Sequence, residues 1–150
     1  MGENQAEPEP APVAELVGRV GAWNHVETAA RRTGGTAFRV GDREFGHVHA
    51  SGALDIDFTL ALRDHLVESG LTDEHNLFPD SGWTTYHVAG DHDVDRAEWL
   101  LRLSYLYHVL HLWRRPSMRR QLRDVDVHAS LHDLDPEQSV IDAFDGLLAR

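Results

Sequence analysis

The stretch from Glu44 to Phe58 constrains this chain more than any other, because apolar and polar residues alternate on both sides of a Ser51-Gly52 turn. That period of two is the mark of a half-buried β-hairpin. The first arm carries a His-x-His pair, His47 and His49, and the second an Asp-x-Asp pair, Asp55 and Asp57. A two-residue Ser51-Gly52 turn pairs His49 with Leu54 and His47 with Ile56, and puts the imidazoles and carboxylates on opposite faces. A three-residue loop at Ser51–Ala53 instead sets His49 opposite Asp55 and His47 opposite Asp57, on one face and within cross-strand reach. The sequence leaves both registers open, and the clustered one is taken as the expectation.

The same alternation predicts strands at Phe38–Val40, Phe45–Val48, Leu54–Phe58 and Trp83–Val88, enough for one four-stranded antiparallel meander-type sheet. Val13 to about Arg32 has helical spacing, with a break near Gly21 and an end at Gly34-Gly35. Thr59 is placed to cap a helix that ends at Gly70. A long helix is expected from Asp93 to Arg115, stopped by Pro116. Its leucines surround so much of the axis that it should pack across the sheet and be covered in turn. The C-terminal extension supplies the cover: Val125 to Leu131 alternates like an edge strand, and Asp135-Pro136-Glu137-Gln138 opens a helix with the stripe Val140, Ile141, Phe144, Leu147 and Leu148. The expected fold is α+β, one domain over residues 13–150, after a disordered, acidic, Pro-rich tail at 1–12.

Charge narrows the function. All 14 basic residues are Arg, none is Lys, and 25 acids leave a net charge of −11. Such a surface stays hydrated where salt screens ordinary charge effects, so the cytoplasm of a halophilic microbe is the expected setting. The same balance argues against nucleic acid as a partner. Without Cys there is no thiolate chemistry, no apolar run is long enough for a membrane span, and the start has no signal-peptide pattern.

The block Gly-Asp-Arg-Glu-Phe-Gly-His-Val-His at 41–49, the Ser51-Gly52 turn, the strand to Phe58, Ser81-Gly82-Trp83 and Leu103-Ser104-Tyr105 together resemble the luciferase-like domain family, relatives of the luciferase of luminous fungi. The resemblance covers roughly Phe38 to Tyr107. It implies an α+β fold and a small-molecule ligand. The fungal member further suggests oxidation of a hydroxylated pyrone by dioxygen, with no metal or organic cofactor.

Under that reading His47 and His49 point into a pocket beneath the long helix, with Asp55 orienting an imidazole that acts as base for an acidic hydroxyl. Trp83, Tyr86 and Tyr105 would supply walls, and Arg102 would hold a substrate anion unless it only pairs with Glu98 along the helix. Metal binding is a further possibility, since two His on one strand face and a carboxylate suit zinc or iron. His75, His108 and His111 could add ligands but lack diagnostic spacing. The plain structural alternative is a noncatalytic interaction module whose His and Asp residues are solvated. No Gly-rich phosphate loop, nucleophile elbow or His-Glu-x-x-His helix is present.

The acid excess carries its own test. Mutual repulsion among the acids should destabilise the fold in dilute buffer, so thermal melts should rise between about 0.1 and 2 M KCl. A flat or falling melting temperature would remove the high-salt inference.

Overall fold

The computed structural model describes residues 9–148 apart from Asn76 and Pro79, and of Leu148 only the backbone. Residues 1–8 of the expected tail, and the side chain of Leu148 in the expected C-terminal stripe, lie outside that description. The elements are α1 (Ala11–Gly21), β1 (Val26–Ala30), β2 (Thr36–Val40), β3 (Arg43–Val48), β4 (Ala53–Asp57), α2 (Leu60–Glu68), β5 (Asp73–Glu74), β6 (Trp83–His87), α3 (Val94–Leu112), α4 (Pro116–Gln121), α5 (Val127–Leu134) and α6 (Gln138–Leu148). The architecture is α+β with one antiparallel sheet of order β1-β2-β3-β4-β6-β5.

The four expected strands are present, and two more extend the sheet. The helix expected as far as Arg32 stops at Gly21, and Val26–Ala30 leaves through His25 at φ 67° to pair with β2 as an edge strand. At the other edge β5 adds two residues beside β6. The segment expected as a C-terminal strand does not join the sheet. It folds as α5, where Asp126 caps the Ala129 N–H at 3.0 Å and Val127 and Leu131, four apart, turn inward. Asp135, expected to open the last helix, instead closes α5 in the left-handed region at φ 49°. Thr59 caps α2 as expected, accepting from Leu62 N at 3.2 Å.

Helix α3 is buried nearly all round. It lies across β3 and β4 on the sheet, with α1, α5 and α6 packed against its other sides. Phe38, Val40, Phe45, Val48, Leu54 and Ile56 face it from the strands, and Phe144 from α6 joins the same core. Gly46 permits the close approach, since a Cβ there would stand 2.6 Å from Leu101 Cδ2.

A bulge shapes this contact. Phe38 pairs with Gly46 but Arg39 pairs with Glu44, which leaves Phe45 as an extra residue in β3. Phe45 and Gly46 are therefore both buried, and the alternation reverses on passing them. The hydroxyl of Ser104 on α3 bridges the interrupted ladder, with its oxygen 2.7 Å from the Phe45 carbonyl and 2.6 Å from the Asp57 carbonyl. Ser104→Ala leaves these carbonyls without that donor and should cost about 1–3 kcal/mol in denaturant melts. A loss within about 0.5 kcal/mol would show that the bridge is not needed.

Candidate functional site

The β3–β4 hairpin adopts neither expected register. Its loop is Ala50–Gly52, closed by His49 N–H to the Ala53 carbonyl and Gly52 N–H to the His49 carbonyl, both 2.9 Å. The left-handed position that ends such a loop falls on Gly52, at φ 98°, where glycine carries no penalty. A loop one residue later would put Ala53 there. The outcome pairs Val48 with Leu54 and Gly46 with Ile56 against α3, and His47 with Asp55 on the opposite face. His49 sits diagonal to Asp55, so the expected clustering exists, but Asp57 stands outside it.

Asp55 is the hub. Its Oδ1 accepts from Thr85 Oγ1 on β6 at 2.8 Å. Its Oδ2 lies 3.0 Å from His47 Nε2, 2.9 Å from His49 Nε2 and 3.5 Å from His75 Nε2. Each outer nitrogen is also occupied. His47 Nδ1 faces Glu44 Oε2 at 2.8 Å, a contact across three residues that a regular strand would forbid and the bulge allows. His49 Nδ1 is 3.1 Å from Arg31 NH1, and since arginine only donates, this nitrogen accepts and Nε2 carries the proton. His75 Nδ1 accepts from the backbone N–H groups of Leu77 and Phe78 at 3.1 and 3.3 Å, so its Nε2–H also points to Asp55.

Burial opposes ionisation of Asp55, yet the hydrogen bonds from His47, His49 and Thr85 outweigh it and hold the carboxyl well below the usual carboxylate range. Burial likewise disfavours charge on His47. Its bonds to Asp55 and Glu44 prevail and raise its pKa above the ordinary 6.5.

These groups line a cavity of about 350 Å³, with Leu77, Phe78 and Trp83 as apolar walls and Arg31 at its side. The Trp83 ring centre is 5.5 Å from that of His47. Within the cluster His49 is the accessible ring, its side chain 35% exposed against 13% for His47. A larger cavity of about 500 Å³ beside Trp99, Arg96 and Glu137 contains no such group of imidazoles.

The pocket therefore opens on the face away from α3, not beneath it. Of the expected wall residues, only Trp83 reaches it. Tyr86 turns to the helix-covered face, where its hydroxyl reaches Asp93 Oδ1 at 3.3 Å. Tyr105 donates to the Asn24 carbonyl at 2.9 Å and packs edge-on against Trp23 and Phe45. Arg102 lies 4.9 Å over the Trp23 ring and 4.7 Å over Tyr105, while Glu98, its expected helical partner, bonds Arg19 at 3.2 Å. The demand of α3 for cover on every side draws these three residues into packing. His108 is likewise on α3, taking a 2.7 Å bond from Arg43 at Nδ1, and His111 lines a separate cavity with Thr59 and Arg114.

Sequence reasoning missed Glu44, Arg31 and Thr85 as partners of the cluster. Residues 42–104 match the family model of the luciferase domain. Over that span the chain is similar to the luciferase-like domain family. No curated protein and no solved structure matches the chain. The luciferase-like span contains Glu44, His47, His49, Asp55, His75 and Trp83, and Arg31 reaches the pocket from the strand edge before it.

Proposed function

We propose that the luciferase-like domain binds a small, largely apolar ring compound in the Trp83 cavity and removes a proton from its acidic hydroxyl. The observation that carries this is the chain of contacts from Asp55 through His49 to Arg31 at the cavity wall. Asp55 accepts the Nε2–H of His49 and so presents Nδ1 as the basic nitrogen, the arrangement by which a carboxylate orients a catalytic imidazole. When a ligand hydroxyl displaces Arg31 from Nδ1, His49 takes the proton and the guanidinium pairs with the oxyanion that results. His47, held between two carboxylates, keeps Asp55 in place and takes no part as base.

Such an anion is electron-rich, and the proposed reaction is its oxidation by dioxygen without an organic cofactor. Leu77, Phe78 and Trp83 would keep the ring out of water. A cavity reaching both imidazoles favours this reading over a noncatalytic interaction module, for which a flat, solvated face would be the support. The acid-rich, lysine-free composition supports a high-salt cytoplasm as the setting, and among the described residues no helix is long and apolar enough to cross a membrane.

The experiment offers hydroxylated 2-pyrones and phenols to the protein and follows ligand binding and dioxygen uptake. His49→Gln should retain the fold and lower uptake by about 10²–10⁴-fold. His47→Gln should lose less. Uptake that is equal in wild type and His49→Gln, or the absence of binding across the panel, would contradict the proposal.

A further inference from the structure

We propose that His47 Nε2, His49 Nε2 and Oδ2 of Asp55 form a binding site for one divalent first-row transition-metal ion, with its open positions facing the Trp83 cavity. One ligand atom from each of the three residues lies within 4.8 Å of the other two. The two contacts to Asp55, 3.0 and 2.9 Å, match the separation of about 3 Å between neighbouring ligands of a six-coordinate ion at about 2.1 Å, and a tetrahedral ion would need them to open by only about 0.4 Å. Two imidazoles and a carboxylate are the donor set of zinc and of non-haem iron, which leave further positions for water or substrate.

The surroundings are built for the same end. Glu44 takes the Nδ1–H of His47 at 2.8 Å, which directs the Nε2 lone pair inward and strengthens it as a ligand. Thr85 ties down Oδ1 of Asp55 and leaves Oδ2 turned to the rings. His75, although 3.5 Å from the same oxygen, is not a ligand, because its Nδ1 accepts from Leu77 and Phe78 and its Nε2 must keep its proton. It steadies Asp55 instead. Arg31 opposes the ion twice. Its charge repels a dication, and its bond to His49 Nδ1 favours the tautomer that coordination through Nε2 must reverse. Loading therefore requires Arg31 to swing away.

This inference goes beyond the proton-transfer reading and is separable from it. An ion on Nε2 of His49 moves that ring's proton to Nδ1, so one His49 ring cannot hold the metal and act as base at the same moment. The base reading then describes the metal-free protein alone.

The test uses the full chain after chelation, titrated with Co²⁺ alone and followed by its visible absorption, then with Zn²⁺ in competition; circular dichroism checks the fold of each variant. One saturable ion per chain is expected. His47→Gln and His49→Gln should each weaken binding by about 100-fold or more, and Glu44→Gln by about 10-fold. His75→Gln should stay within a few-fold of wild type, and Arg31→Gln should bind more tightly than wild type. Asp55→Asn should also lose the ion, and if it unfolds, the exposed His49→Gln decides. No saturable binding, or binding that persists in His49→Gln as adventitious capture by the chain's 11 histidines, overturns the site. Loss in His75→Gln equal to that in His49→Gln, or weaker binding in Arg31→Gln, overturns the ligand assignment. None of these outcomes depends on dioxygen uptake, so the two readings fail independently.

Discussion

A carboxylate with little exposed surface, at Asp55, sets the terms for the rest of the site. Withdrawing an ion of that size from water costs several kcal/mol even after relaxation, and a single neutral hydrogen bond returns only about 1 kcal/mol. Bonds to a charged group return about 1.5–3 kcal/mol each, so several donors must converge if the charge is to persist. The fold supplies them from three elements: the paired strand gives His47 and His49, β6 gives Thr85, and the segment after β5 gives His75 at the edge of reach. The same demand fixes the orientation of every ring, because a nitrogen turned to Asp55 leaves its partner nitrogen for Glu44, Arg31 or the backbone. Proton positions in the site are thus consequences of one buried charge.

The bulge at Phe45 links that charge to the core. It turns Phe45 and Gly46 together toward α3, where the ring packs on Trp23 and Tyr105 and the glycine makes room for Leu101. On the other face it brings Glu44 round to His47, which two-residue alternation would place on opposite sides. Ser104 occupies the gap this opens in the ladder. Core and site therefore share a single irregularity, and a change that restored a regular strand would rearrange both. Arg31, which follows edge strand β1, is the member that has to move, and its exchange between His49 and an incoming anion is what the proposed chemistry asks of the structure.

Much of this was legible in the sequence. The four central strands and the buried long helix follow from alternation and spacing, whereas the grouping of His47, His49 and Asp55 was one of two arrangements that the sequence left open. The register did not follow, because it turned on which loop residue must be left-handed, and Gly52 rather than Ala53 meets that need. Glu44 was hidden by the bulge, which no local pattern announces. The C-terminal segment misled because Val125, Val127, Ala129 and Leu131 fit a period of two, while Val127 and Leu131, buried one turn apart behind the Asp126 cap, fit a helix equally well. Tyr86, Tyr105 and Arg102 carry side chains suited to a pocket, but the sequence does not say which face of the sheet holds the pocket.

Asp55 dictates the protonation of its imidazoles, and nitrogen NMR of the histidine rings across a pH titration reads that protonation ring by ring. At pH 6.5 His47 should be largely the doubly protonated cation, because a pKa raised above 6.5 keeps its proton at that pH and releases it only as pH rises further. In its neutral form His49 should be the Nε2–H tautomer. A His47 that is mostly neutral at pH 6.5, together with an Nδ1–H tautomer at His49, would contradict this control by Asp55.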